Sequence, residues 1–560
     1  MTLRTGGQIL VDQLRFHGTS HVFCVPGESY LAVLDALHDS PIKTIVCRQE
    51  GGAAFMAEAV GKMTGKPGIV MVTRGPGATN ASPGIHVASQ DSTPMIMFVG
   101  QVARGMKERE AFQELDYKAV FGTMAKWVVE IDRAERIPEL VSRAFHVATQ
   151  GRPGPVVIAL PEDMLTDMAE VRDGIAFTPV LAHPGNADME ELQRRLLAAE
   201  RPIVLAGGSG WSEQGVTNFA RFAENFDLPV AVTFRRQMLF PADHPNFAGD
   251  FGIGPNPKLV ARVKEADLVL LVGGRMSEMP SQGYTLFDIP GDGEKLIHIH
   301  PGSEELNRVY RAGLGILATP SVFAEAAAAL PKPNRVKWSG SAKAAHADYL
   351  AWSDPKPIRT AGDVQMAGVM AHLIEAMPAD TIYCNGAGNY ATWVHRFWPF
   401  RSFASQLAPT SGSMGYGVPA AVAAKVLNPQ RAVIAFAGDG CFLMNGQEFA
   451  TAVQYDLAVI VVVVDNGMYG TIRMHQEREY PGRVSATTLK NPDFAALARA
   501  YGGHGETVRK TEEFAGALER AQASEKPSII HCLIDPEAIT PSRSLSEIRE
   551  AAVNRRHGNN

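Results

Sequence analysis

Short apolar runs, each closed by a glycine-rich turn, alternate with helical patterns along almost all of this 560-residue chain. That alternation constrains the fold more than any other feature. A strand that reads as an unbroken apolar run is buried on both faces, the condition of a parallel sheet covered by helices. In the first third the runs are HVFCVPG, KTIVC, GIVMVTRGPG, MIMFVG and VVIALP, with the helical GGAAFMAEAVGKMTG among them. PIVLAGG, PVAVTF, ADLVLLVGG and KLIHIHP follow in the middle; TIYCNGAGN, RAVIAFAGDG, LAVIVVVVDNG and SIIHCLID occupy the last third. The chain is too long for one core, and two Pro- and Ala-rich stretches, 177–188 and 329–357, read as linkers. The expected architecture is α/β: three doubly wound parallel-sheet domains over residues 1–175, 188–332 and 358–540, then a tail at 541–560. No short-period repeat is visible.

Composition narrows the partners. A net charge of −6 leaves no basic face of the kind that binding to phosphates of nucleic acid requires. Five scattered cysteines without a CxxC pair argue against a disulfide framework, and a reducing cytoplasm is the expected compartment. The N-terminal MTLRTGGQILVDQLRFHG lacks an apolar signal region, and no window resembles a membrane span, so neither export nor membrane insertion is expected.

One stretch carries chemistry. In FAGDGCFLMN an acid, Asp439, stands between Gly438 and Gly440 at the end of the apolar run AVIAF. A carboxylate at the mouth of a buried strand needs a cation or hydrogen-bond donors in place of water. One strand-helix-strand crossover later, LAVIVVVV delivers Asp465 and Asn466 into the loop DNGMYG, with Asn466 27 positions after Asp439. Carboxylate, amide oxygen and a loop carbonyl form a hard oxygen set suited to Mg2+, which keeps phosphate and water as its other ligands. The two glycines let backbone and helix start approach a diphosphate. Taken alone, GDG reads as a tight turn; with the strand and DN at this spacing, it reads as a metal-diphosphate site.

GDG followed at this distance by DN resembles the signature of thiamine-diphosphate enzymes. CRQEGGAAFMAEAVGKMTGKPGIVMVTRGPGATN, QDSTPMIMFVGQV, AFQE at 111–114 and SGSMGYGVPAA at 411–421 are similar to the acetohydroxyacid (acetolactate) synthase branch of that family. The resemblance implies pyrimidine-binding, central and diphosphate-binding domains, with Mg2+ held by Asp439, Asn466 and the main-chain carbonyl of Met468. It implies that Glu50 hydrogen-bonds the pyrimidine ring and thereby promotes deprotonation of the thiazolium carbon, which attacks a 2-oxo acid and stores negative charge after carbon dioxide leaves. By the same resemblance Met414 wedges under the bent cofactor, Gly412 offers its carbonyl to the cofactor's amino group, Gly27 belongs to the cofactor-binding set, and Gln113 and Phe112 lie near the reacting carbonyl. Glu50 and Asp439 belong to different domains, so the family builds each site from two chains; a homodimer or homotetramer is expected.

Two places depart from the family pattern. AGGSGW at 206–211 lacks the full GxGxxG spacing, and Met276 and Ser277 follow Arg275 where the synthases carry phenylalanine and acids. FAD in the central domain is thereby left open. In NGMYGTIRMHQERE, Met474-His475 stands where the synthases carry glutamine-tryptophan, the tryptophan that recognises the second 2-oxo acid. His475 is accordingly a candidate acceptor-binding residue. Arg74 and His86 read as structural rather than carboxylate-binding groups. The expected activity is that of a thiamine-diphosphate- and Mg2+-dependent acetolactate synthase-like carboligase acting on small molecules. A non-oxidative 2-oxo acid decarboxylase is the alternative. A catalytically silent cofactor-binding protein and a nicotinamide-dependent dehydrogenase are rivals of other classes.

Overall fold

The computed structural model describes residues 2–291 and 293–558. Three six-stranded sheets account for the alternation, and every strand pairing within them is parallel. The first contains β1 (His21–Cys24), β2 (Lys43–Val46), β3 (Gly68–Val72), β4 (Met95–Gln101), β5 (Trp127–Glu130) and β6 (Pro155–Pro161), in the order β2-β1-β3-β4-β6-β5. The second contains β7 (Pro202–Ala206), β8 (Val230–Thr233), β9 (Phe247–Phe251), β10 (Leu268–Val272), β11 (Leu296–His300) and β12 (Leu314–Leu317), in the order β9-β8-β7-β10-β11-β12. The third contains β13 (Ile382–Asn385), β14 (Gln406–Leu407), β15 (Val433–Gly438), β16 (Ile460–Asp465), β17 (His504–Val508) and β18 (Ser528–Leu533), in the order β14-β13-β15-β16-β18-β17.

The outer sheets thus share one winding, while the central sheet has the order of a dinucleotide-binding fold. In all three, the strand order reverses next to the first strand, and the crevice at the carboxyl ends there is where open α/β sheets bind ligands. In the first sheet it lies between β1 and β3, in the third between β13 and β15.

Two helices of the first domain begin just past the carboxyl ends of its strands: α1 (Glu50–Thr64) after β2 and α2 (Pro76–Asp91) after β3. The Gln49 side chain accepts from Gly52 N–H at the start of α1, and Gly65, at φ 68°, ends it in the left-handed conformation. The stretch 329–357, expected as a linker, contains helix α3 (Ser341–Ser353). It lies on the central domain, where Tyr349 packs edge-on against Phe247 with ring centroids 4.7 Å apart. Only Ala342, Ala345 and Tyr349 of α3 are buried, too narrow a stripe to stand out from the surrounding Ala and Pro.

In the third domain α4 (Gly417–Leu427) packs its alanines against α1, and the two helices share one core between the outer sheets. α5 (Asp439–Asn445) starts at the end of β15. The helix of the crossover after GDG breaks at Gly446 into a 3-10 turn before it resumes at Phe449. α6 (Gly470–Glu479) follows β16. The tail expected at 541–560 is instead largely a helix, α7 (Leu545–Gly558), whose Leu545 and Ile548 join Ile539 against Met474 of α6. No helix among the described residues is long and apolar enough to cross a membrane.

Candidate active site

The crevice between β13 and β15 opens into a cavity of about 230 Å3. Gly412, Met414, Gly438, Asp439, Gly440, Asn466 and Met468 all line it. The glycines are required by close approach: a Cβ on Gly438 would come within 2.8 Å of the Tyr390 ring, and one on Gly440 within 2.5 Å of the Tyr469 ring. Asp439 begins α5 and is buried. Its Oδ2 accepts from the Met468 N–H at 3.1 Å and from Asn491 Nδ2 at 2.7 Å. Met468 therefore touches the carboxylate through its N–H.

A second carboxylate sits beside it. Asp465 Oδ1 accepts from Gly467 N–H at 2.9 Å and from Asn491 Nδ2 at 2.8 Å, while Oδ2 lies 2.8 Å from His531 Nε2. Burial pushes the Asp465 carboxyl up, but His531, Gly467 N–H and Asn491 outweigh it and hold it below the usual range. Asp439 has fewer such donors, and burial together with the charge of Asp465 pushes it up to about 6. The two buried acids share the Asn491 amide, and apart from His531 beside Asp465 their hydrogen-bond partners carry no positive charge. Among the described residues no three His, Cys, Asp or Glu side chains cluster as a complete metal site. The donor set offered is one carboxylate, one amide and main-chain groups, which fits a hard divalent cation that shares its coordination with phosphate and water. The buried carboxamide oxygens of Asn445 and Asn491 are unpartnered as well.

Asn491 was not legible in the sequence. It lies in KNPDF, far from the GDG and DN motifs, and nothing in its spacing tied it to them. The same holds for Asn389, which exchanges hydrogen bonds of 3.0 Å with Thr471 and so fixes the start of α6 to the loop after β13.

Glu50, Gln113, Phe112 and Gly27 are not among the residues lining this cavity. They gather at the corresponding crevice of the first sheet. Glu50, half-buried at the start of α1, accepts from Asn80 Nδ2 at 3.0 Å. A Cβ on Gly77 would lie 3.4 Å from Glu50 Oε1, and one on Gly27 would collide with Thr73. Gln113 adopts φ 66° and lies against Gly75. Phe112 is 73% exposed. Arg74 is buried and saturated: it pairs with Glu28 and Glu162, both at 2.9 Å, and donates to the Phe112 carbonyl at 3.2 Å, holding the loop that carries Gln113. One chain therefore places these candidate residues at two separate crevices, one in each outer sheet.

A larger cavity of about 770 Å3 adjoins the first, sharing Gly388, Asn389, Gly412 and Thr471 with it. His86, Arg275, Ser277, Met474 and His475 all line it. The Arg275 guanidinium donates to the Gln90 carbonyl, and burial lowers it to about 10. Met276 is buried in the core of the central domain. The glycine turn after β7 is closed: Gly208 leaves no room for a Cβ against the Gly273 carbonyl, Ser209 Oγ donates to the Asp91 carbonyl at 3.2 Å, and Arg236 Nε donates to the Gly208 carbonyl at 3.0 Å.

A glycine-lined crevice with paired acids in one outer domain, and a half-buried glutamate at the equivalent crevice of the other, form the arrangement that the resemblance to thiamine-diphosphate enzymes implies. Family models agree along the chain: the thiamine pyrophosphate enzyme N-terminal TPP binding domain matches residues 4–120, the central domain 189–327 and the C-terminal TPP binding domain 386–532. The chain belongs to the thiamine pyrophosphate enzyme family. It is 32% identical to a probable acetolactate synthase large subunit of Methanocaldococcus jannaschii, over 96% of this chain and 93% of that protein. It is 30% identical to the acetolactate synthase isozyme 2 large subunit of Escherichia coli, over 97% and 99%, and 31% identical to the acetolactate synthase large subunit of Lactococcus lactis, over 95% and 92%.

Proposed function

We propose that this protein is a thiamine-diphosphate- and Mg2+-dependent carboligase of the acetolactate synthase type. It decarboxylates a 2-oxo acid such as pyruvate and transfers the two-carbon unit to an acceptor. The observation that carries the reading is the convergence of Asp439, Asn466 and Met468 on the crevice between β13 and β15, where two buried acids share the Asn491 amide. Asp439, Asn466 and the main chain of Met468 would hold the metal, and Gly438 and Gly440 the diphosphate. Bound there, thiamine diphosphate supplies the electron sink for the carbanion left by decarboxylation. Met414 supports the cofactor from below. Glu50 holds and returns a proton at the pyrimidine edge, and Asn80 keeps its carboxyl oriented. Gln113 and Phe112 would face the reacting carbonyl.

The two separate crevices of one chain support an assembly of at least two chains, in which Glu50 of one subunit serves Asp439 of another. The exposure of Phe112 agrees with a face covered by a second copy. A flavin is not part of the reading: the cavity of about 770 Å3 has the room, but the turn that would cradle its pyrophosphate is spent on Gly273, Asp91 and Arg236. His475, where an indole is expected, favours a second reading in which a proton replaces the acceptor and the enzyme is a simple decarboxylase. Product analysis of pyruvate turnover, with and without a second oxo acid, separates the two. Acetolactate supports the carboligase, acetaldehyde alone supports the decarboxylase, and no turnover with loaded cofactor defeats both.

A further inference from the structure

Helix α6 leads away from the cofactor cavity, and its last turn carries an arginine, Arg478, that forms no ion pair among the described residues. Gly470 and Thr471 at its start line the cofactor cavity, Met474 and His475 line the larger one, and Arg478 opens on a third cavity of about 160 Å3. Thr540, Ser542, Arg543 and Arg555 contribute to the walls of that third cavity, and Met474 and Arg478 belong to both it and the second. The three cavities therefore follow one another along one helix, with Met474 and Arg478 between the second and the third.

Arg478, Arg543 and Arg555 are exposed, and none has an ion pair or a side-chain hydrogen bond among the described residues. Their helical neighbours offer no carboxylate: three and four positions before Arg478 stand His475 and Met474, and before Arg555 stand Ala552 and Ala551. Other arginines of the same two helices are consumed. Arg473 and Arg549 both bind Glu477, and Arg556 donates to the Glu479 carbonyl. Ser542 Oγ accepts from Arg396 Nη1 at 3.1 Å, which leaves its own proton free to donate. Three guanidinium groups around so small a space repel one another, and an anion between them removes that repulsion. Their planar forks match a carboxylate or a phosphate.

We infer that this pocket holds the distal anion of the acceptor substrate, a carboxylate or phosphate at the end opposite its reacting carbonyl. The inference rests on the carboligase reading and names its substrate class. Helix geometry sets the scale: from Thr471 to Arg478 the axis rises about 10 Å, and helical side chains lean back toward the N-terminus, which shortens the gap. An acceptor of several carbons with a charged end fits that span; pyruvate and 2-oxobutyrate do not reach it.

The test compares 2-oxoadipate with 2-oxohexanoate, equal in length but uncharged at the far end, on the full chain loaded with thiamine diphosphate and Mg2+. With pyruvate as donor, kcat/KM for 2-oxoadipate should exceed that for 2-oxohexanoate by about tenfold or more, and raised salt should shrink the ratio. Arg543→Met and Arg555→Met should each lower the ratio several-fold, mainly through KM, and the double variant should bring it close to one. Calorimetry of the two acids in the absence of pyruvate should give the same preference. Equal handling of both acids by wild type, or a ratio unmoved in the double variant, overturns the assignment. So does inorganic phosphate binding that the variants abolish but that fails to compete with 2-oxoadipate. If no acceptor yields a ligated product, the carboligase reading falls, while the calorimetric preference still decides the pocket.

Discussion

The carboxylate of Asp91 accepts two hydrogen bonds from Thr410, one from the backbone N–H at 2.8 Å and one from the hydroxyl, although 319 residues separate them. Asp91 is the last residue of α2, fully buried where the three domains meet, and Thr410 opens the loop that carries Gly412 and Met414. Lys62 pairs with the same carboxylate and with Glu58, and Arg236 reaches the Asp91 carbonyl from the central domain. Breaking a buried charge network by removing one partner costs about 3–5 kcal/mol. Asp91→Ala should lose stability on that scale in denaturant titration and bind thiamine diphosphate more weakly. Burial would raise the Asp91 carboxyl, but Lys62, Arg236 and Thr410 hold it below the usual range. Its contribution is therefore fully present above the ordinary carboxylate value of about 4 and lost only as pH falls below it. Stability of wild type relative to Asp91→Asn should stay level from neutral pH to about 5 and narrow under about 4.

Asp439 has the opposite sign. Burial and the neighbouring charge of Asp465 push it up to about 6, so the folded protein keeps this proton longer than the unfolded chain, and its ionisation opposes folding until a cation arrives. On the proposed reading, Mg2+ would compete with that proton. Calorimetry should find that Mg2+-dependent thiamine diphosphate affinity falls as pH drops through about 6, and that Asp439→Ala abolishes it. Unchanged affinity in the variant would remove Asp439 from the metal site.

Glu50→Gln should retain cofactor and lose turnover by orders of magnitude, because an amide cannot hold and return the proton. Hydrogen-deuterium exchange at the thiazolium carbon reads this directly, and exchange as fast as wild type contradicts the role. Asn80→Ala, which removes the 3.0 Å bond to Glu50 Oε2, should slow the same exchange to a smaller extent.

Glu477 joins α6 to α7. Its buried carboxylate accepts from Arg549 Nε at 2.7 Å and Nη2 at 2.9 Å, from Arg473, and from Gly482 N–H at 2.8 Å. Arg549 is the largest influence holding the carboxyl down at about 2. Arg549→Met should loosen α7, seen as faster amide exchange across Leu545–Gly558, at a cost of about 1.5–3 kcal/mol for bonds to a charged group. Amide exchange in α7 identical to wild type would show that hydrophobic contacts alone hold the helix.

The sheets were legible because buried parallel strands must be apolar throughout, as IVVVVD in β16 is up to its final acid. The meeting of Asp439 and Asn466 at one cavity was legible because they stand one crossover apart. α7 was not, since LSEIREAAVNRRHG shows only Leu545, Ile548 and Ala552 to the core. Asn491, Thr410 and Lys62 were hidden for a different reason: their partners are distant in sequence and are brought to them by domain packing, which no local pattern encodes.

His475 sits one turn beyond Thr471 on α6, exposed, and lines the cavity that adjoins the cofactor. Where the resembling synthases carry an indole at this place, its apolar area favours the extra methylene of 2-oxobutyrate, and one methylene in a good pocket contributes about 1–3 kcal/mol of discrimination. An imidazole is smaller and polar, and Met474 beside it turns its sulfur to Asn389 Nδ2 at 3.4 Å, so little apolar wall remains on this side. This enzyme should therefore discriminate poorly between pyruvate and 2-oxobutyrate as acceptors. His475→Trp should restore apolar area and raise the preference for 2-oxobutyrate by about tenfold, within the range a methylene allows. Competition between the two acids, with acetolactate and acetohydroxybutyrate counted as products, measures the ratio directly. A strong preference for 2-oxobutyrate in wild type, or a ratio unmoved by the tryptophan, would mean that position 475 does not face the acceptor.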